Sequence, residues 1–243
     1  FSALQSPDSA DRTAARDVLD QTPTAQLFAY VMRMLAWGEA DQVRLVDTAL
    51  PMVGPRIADL MAATLETEIE AERHRRVAAW ALGRSGNTNH AALLSRYAEE
   101  GSHSLALTCA QALAMLRAPE ALQTWVHLLE KDDPALHALA IDSLAELDTP
   151  PARQVLLDIA RGEKKRGSRV EQQAVQKIAS WNFQEAIPLL ISIMEANPEL
   201  SPYIARILSE KTGESFGSDV NAWRKWWMPS PPAKQVPISP ENQ

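Results

Sequence analysis

Between its two ends the chain is a succession of apolar patterns 10 to 15 residues long with helical spacing, each closed by Gly, Asn, Asp or Pro. No run alternates apolar and polar residues as a half-buried strand does, so the pattern predicts helices throughout. The helices also repeat. Ala79-Trp80-Ala81-Leu82 aligns with Ala110-Gln111-Ala112-Leu113 after 31 residues, and with Ile141-Asp142-Ser143-Leu144 after a further 31. Val175-Gln176-Lys177-Ile178 follows after 34, the three extra residues falling in the loop from Arg161 to Gly167. A second helix keeps the same register: Leu94, Trp125, Leu156 and Leu190 share one position, and Tyr97, Leu128, Ile159 and Ile193 another. A single pair of such helices, with Ala at contact sites and Leu or Ile at buried ones, cannot cover its own apolar faces, so each pair must stack on the next.

The prediction is an all-α fold, a right-handed α-solenoid of helix pairs. Breakers mark the joints: Gly83 and Gly86, Ala118-Pro119, Asp132-Asp133-Pro134 and Thr149-Pro150-Pro151. Four pairs are predicted over residues 70–196, preceded over 22–69 by a degenerate repeat. In that repeat Thr24 to Trp37, Gln42 to Leu50 and Pro55 to Leu65 read as separate helices, Pro51 and Pro55 interrupting the pattern. Residues 1–21 read as a linker and cap, and 197–228 as closing helices, Pro202 to Glu210 and Val220 to Trp227. Phe216, Trp223, Trp226 and Trp227 would cover the last repeat face. Residues 229–243 form a proline-rich tail.

With 243 residues, 46% of them hydrophobic, the chain can bury a sizeable core or an extended stack of smaller ones. Thirty-one acidic against 24 basic residues give a net charge of −7, which argues against a general polyanion binder, so nucleic acid is not an expected partner. One cysteine, Cys109, cannot form an internal disulfide. No stretch of about 18 apolar residues is present to span a bilayer, which leaves open peripheral or tethered association with a membrane. The chain starts at Phe1 rather than Met and so reads as a processed or trimmed product. Together with the proline-rich tail, that start favours an exported, envelope-side location over a cytoplasmic one.

The pattern Arg76-Val77-Ala78-Ala79-Trp80-Ala81-Leu82-Gly83-Arg84-Ser85-Gly86 followed by a second helix resembles the HEAT-repeat family, especially its short bacterial repeats related to phycocyanobilin lyases. Thr212 to Gly217 with Trp223-Arg224-Lys225-Trp226-Trp227 is similar to the closing segment of many such proteins. The resemblance implies a scaffold for protein contacts, occasionally turned to catalysis, without a shared catalytic motif.

None of the five histidines is followed by Glu, which removes the helical HExxH zinc motif and the His-Glu pairs by which HEAT-repeat deoxyhypusine hydroxylases would hold iron. No metal, cofactor or catalytic residue is predicted. Cys109 lies amid Leu107, Ala110 and Leu113 and reads as a packing residue. The mixed cluster Glu70, Glu72, Arg73, Arg75 and Arg76 is accounted for by ion pairs along one helix, such as Glu72 with Arg76, and is given no function.

The candidate site is on the second helices, which the resemblance places along the concave side. The register puts Arg96, His127, Asp158 and Ser192 at one position, and Gln123 and Gln154 one turn earlier on the same face. Arg96, Gln123, His127, Gln154 and Asp158 are read as a hydrogen-bonding strip for a protein or peptide segment, although an amphipathic helix also needs a polar face for solvation alone. The basic insertion Lys164, Lys165 and Arg166, with Arg169, is a second candidate for docking an acidic partner or an anionic membrane surface. The expected function is a non-enzymatic interaction scaffold or accessory subunit. The alternative is a lyase- or isomerase-like enzyme acting on a chromophore or small ligand in the groove.

Overall fold

In a computed structural model the described residues are 1–67, 70–163 and 167–228, and they are helical with no strand among them. They form two compact units, residues 1–152 and 153 onward. The fold is all-α and built of stacked helix pairs.

The first unit opens with α1 (Ser9–Gln21), whose N-terminal amide at Ala10 donates to the Asp8 carboxylate over 2.8 Å. Then come α2 (Thr24–Trp37) and the long α3 (Ala40–Glu66). Arg56 of α3 donates to the carbonyl oxygens of Leu19 (2.6 Å) and Thr22 (2.8 Å) at the end of α1, which ties the first helix down.

The two helices expected over 42–50 and 55–65 are one continuous helix. Pro51 and Pro55 lie inside it four residues apart and both are exposed, so both missing amide donors fall on the solvent side, where water can satisfy the freed carbonyls. The opposite face, including Val46, Leu50, Val53, Ile57, Met61 and Leu65, is buried without interruption. That apolar stripe outweighs the two breakers.

The regular repeats follow. Their first helices are α4 (Glu72–Ser85), α6 (His103–Leu116) and α8 (Pro134–Leu147); their second helices in the first unit are α5 (Ala91–Glu100) and α7 (Leu122–Leu128). The first helices start 31 residues apart, and α4 packs on α6 and α6 on α8. Leu82, Leu113 and Leu144 are each fully buried, and covering a leucine of this kind is worth about 1.5–3 kcal/mol.

The backbone repeats as closely as the side chains. Gly86, Arg117 and Asp148, 31 residues apart, end their helices in the left-handed region with φ of 70°, 49° and 47°. Only the first of the three is a glycine. Gly83 proves not to be a breaker. It lies inside α4, and a Cβ there would sit 2.5 Å from the Ala112 Cα of α6, so glycine is what lets the two helices cross this closely.

The second unit holds the rest of α9 (Pro150–Ala160), then α10 (Ser168–Ala179), α11 (Phe183–Ala196), α12 (Ser201–Thr212) and α13 (Val220–Trp227). Helix α10 starts 34 residues after α8, and Ile178 occupies the buried leucine position. Buried Asn197 donates to the Ala160 carbonyl (3.3 Å) and to the Glu171 carboxylate (3.4 Å), satisfying a carboxylate that would otherwise be costly to bury. Trp223 is buried at the closing end. Its indole N–H donates to the Gly217 carbonyl over 2.8 Å, and Phe216 and Trp226 meet its ring edge-on.

Candidate functional site

The 31-residue period sets which side chains can meet. In stacked repeats, polar groups about one period apart lie on adjacent helices, and on the second helices of the first unit this produces a chain of interactions. Arg96 of α5 donates to Glu66 at the end of α3 over 3.1 Å, and its guanidinium lies 4.9 Å from the Tyr97 ring centre. Arg75 stacks on the same ring at 4.9 Å. One helix on, Glu99 of α5 accepts from Thr124 Oγ1 of α7 (2.9 Å), and its other oxygen is 3.2 Å from His127 Nδ1. Lys131 closes the row by donating to the carbonyl oxygens of Ala98 and Glu99 at the C-terminus of α5.

These groups are held but not covered. Arg96 and His127 keep 48% and 54% of their side-chain surface open. The Glu66 hydrogen bond, with a smaller contribution from Tyr97, raises the Arg96 pKa above its ordinary value, so the charge is permanent. A guanidinium has five N–H donors, and the interactions with Glu66 and Tyr97 leave some of them facing outward. Gln123, one turn before His127, is exposed beside it.

The predicted strip divides between the two units. Arg96, Gln123 and His127 lie in the first, on α5 and α7; Gln154 and Asp158 lie in the second, on α9, where the Gln154 amide donates to Asp158 over 2.6 Å. Lys164, Lys165 and Arg166 lie outside the described residues. Arg169 is exposed at the start of α10. Glu66, Tyr97, Glu99, Thr124 and Lys131 were missed by sequence reasoning. The repeat itself was the available signal: Arg96 and Glu66 are 30 residues apart, and His127 and Glu99 are 28 apart.

Residues 91–169 match the family model for HEAT repeats. Over that third of its length the chain is similar to HEAT repeats. Helices α5 to α9 fall in that span, so the polar row from Arg96 to His127 lies within the matched residues. Among solved structures, the chain is similar to the complex of CpcE and CpcF of phycocyanin lyase from Nostoc sp. PCC7120, at 17% identity and a TM-score of 0.28, covering 93% of this chain and 92% of that one. No curated protein matches the chain.

Among the described residues no group of three or more His, Cys, Asp or Glu side chains is placed to hold a metal ion, and no helix is long and apolar enough to cross a membrane. Cys109 is buried in α6, and loss of solvation pushes its thiol up to about 12. What the polar row can do chemically is donate and accept hydrogen bonds along the second helices α5 and α7, from groups whose orientation is already set.

Proposed function

We propose that this chain is a non-enzymatic interaction scaffold, an accessory subunit of a larger assembly, that holds a segment of a partner protein along the second helices of its first unit. HEAT repeats generally mediate protein contacts, which supports the broad reading. The observation that carries the specific one is the preorganised row: Arg96 and His127 stand half open, each oriented by a carboxylate about one period earlier in the chain, Glu66 of α3 and Glu99 of α5. Fixing a long polar side chain before the partner arrives removes part of the ordering cost of binding. Arg, Gln and His donors at this spacing suit the carbonyl oxygens and acidic side chains of an extended peptide.

Site-resolved photo-crosslinking tests the reading. With a photoreactive phenylalanine analogue in place of Gln123, irradiation in an extract of the source cells is expected to give one dominant protein adduct. The same analogue at Gln111, exposed on the first helix α6, should not give it. Equal labelling from both positions, or no adduct from Gln123, overturns the proposal.

A further inference from the structure

A cavity of about 560 Å³ lies in the first unit between α2, α3 and α4, away from the row on α5 and α7. Its apolar lining is Leu35 from α2, Val43 from α3, and Val77 and Trp80 from α4. Its charged lining is Glu72, Arg73 and Arg76, all on α4. Positions 73, 76, 77 and 80 follow helical spacing, so one face of α4 presents two guanidinium groups in line with an indole. The volume falls within the usual range for small-molecule sites, about 300–1,000 Å³, and the lining sets charged groups beside apolar side chains.

The attraction between Glu72 and Arg76 that the sequence suggests is present, but it is not the main hold on the carboxylate. Glu72 accepts from Ser104 of α6, and that hydrogen bond, more than the nearby arginines, holds its carboxyl below the ordinary range, so it stays ionised and turned toward α6. Arg73 is occupied: it donates to the Ala36 carbonyl and lies 4.0 Å from the centre of the exposed Trp37 ring. Arg75 is turned elsewhere, donating to the Leu65 carbonyl over 2.9 Å. Arg76 alone is held by one atom, its Nε donating to Thr108 Oγ1 over 3.3 Å. Both Nη groups are without a hydrogen bond or salt bridge among the described residues. With two cations and one anion the cavity wall has a net positive charge in a chain of net charge −7.

From this geometry we infer a small-molecule binding site for an organic acid with one carboxylate on a compact apolar body. The carboxylate pairs with the free Nη edge of Arg76, a two-oxygen acceptor meeting a two-nitrogen donor fork. The body lies against Trp80 and the side chains of Leu35, Val43 and Val77. An uncharged compound of the same shape forgoes the charge-assisted pair with the guanidinium, and an amine meets two arginines against the single Glu72 carboxylate, which is engaged by Ser104. The site is independent of the partner-binding row, because neither Arg76 nor Trp80 takes part in it.

The test is a titration of the whole chain by calorimetry and ligand-observed NMR with 4-phenylbutyrate, its uncharged amide and the matching amine. Saturable binding of the acid is expected, at least tenfold weaker for the amide and absent for the amine. Arg76→Gln should weaken the acid at least tenfold and bring it level with the amide, with helicity and melting temperature unchanged. Val77→Phe, which fills the cavity, should abolish binding of the acid and of the amide. Equal affinity for acid and amide, no effect of Arg76→Gln, or no saturable binding of the acid would each overturn the inference.

Discussion

Two parts of the first unit, a few turns apart, use the same helix in opposite ways. Where α4 crosses α6 the regular repeat leaves no space: Gly83 meets Ala112 so closely that one additional carbon would overlap it. Where α4 meets α2 and α3, which do not follow the 31-residue repeat, the same helix borders a cavity of about 560 Å³. Regular stacking produces a solid contact of small residues. At the irregular junction α3 closes on one end of α4 just as tightly, Gly54 against Ser85. A space opens only toward the other end, beside Leu35, Val43 and Trp80, so tight and open stretches of one helix separate a structural face from a face able to hold a ligand.

The sharpest way to break this comparison is to enlarge a residue on each side. Gly83→Val forces a branched side chain into the α4–α6 contact and should destabilise the fold by about 1–3 kcal/mol or more, the usual cost of overpacking. Val77→Phe at the junction should cost less than about 1 kcal/mol, because the cavity accepts the ring. Chemical denaturation of the two variants measures both, and equal losses would erase the distinction.

The solid side also hides Cys109. Its thiol is pushed up to about 12 by burial, so the folded chain should resist alkylation at pH 8 and react only on unfolding, which mass spectrometry of iodoacetamide-treated protein reads directly. A folded-state pKa above the ordinary thiol value of 9.0 means that the unfolded chain loses this proton first, so the stability associated with the buried thiol is complete below pH 9 and declines as the pH rises toward 12. Cys109→Ala should flatten that part of the curve.

Smaller effects are expected at the repeat joints. Arg117 adopts φ of 49° at the position where Gly86 stands in the preceding repeat. Arg117→Gly should relieve about 1 kcal/mol of left-handed strain and lose an exposed ion pair with Glu146 worth less, for a net gain of about 0.5 kcal/mol in urea unfolding. Arg96→Ala is the smallest. Its pair with Glu66 is half exposed and screened by water, so urea unfolding of this variant should be indistinguishable from that of the unaltered chain.

What was legible in the sequence follows the same division. The column of Leu82, Leu113, Leu144 and Ile178 stood out because a repeated contact imposes the same residue type again and again. The positions of Arg96 and His127 followed from it. Their partners Glu66 and Glu99 did not, because the period was applied to apolar positions and not to opposite charges. The unbroken α3 was illegible for another reason: Pro51 and Pro55 were weighed one at a time, whereas their four-residue spacing places both on the solvent side. Gly83 reads as a joint because its partner, Ala112, is distant in sequence, and only the fold shows that a Cβ on Gly83 would lie 2.5 Å from the Ala112 Cα. The cavity could not be seen at all, since Leu35, Val43 and Trp80 come together only through helices outside the repeat.

The most direct measurement on the central claim is the dissociation constant of the protein crosslinked through Gln123, once purified, for the unaltered chain, for the Arg96→Ala/His127→Ala double variant and for Arg76→Gln. The scaffold account predicts at least tenfold weaker binding for the double variant at unchanged helicity, and no change for Arg76→Gln. The same affinity for the double variant as for the unaltered chain would contradict it.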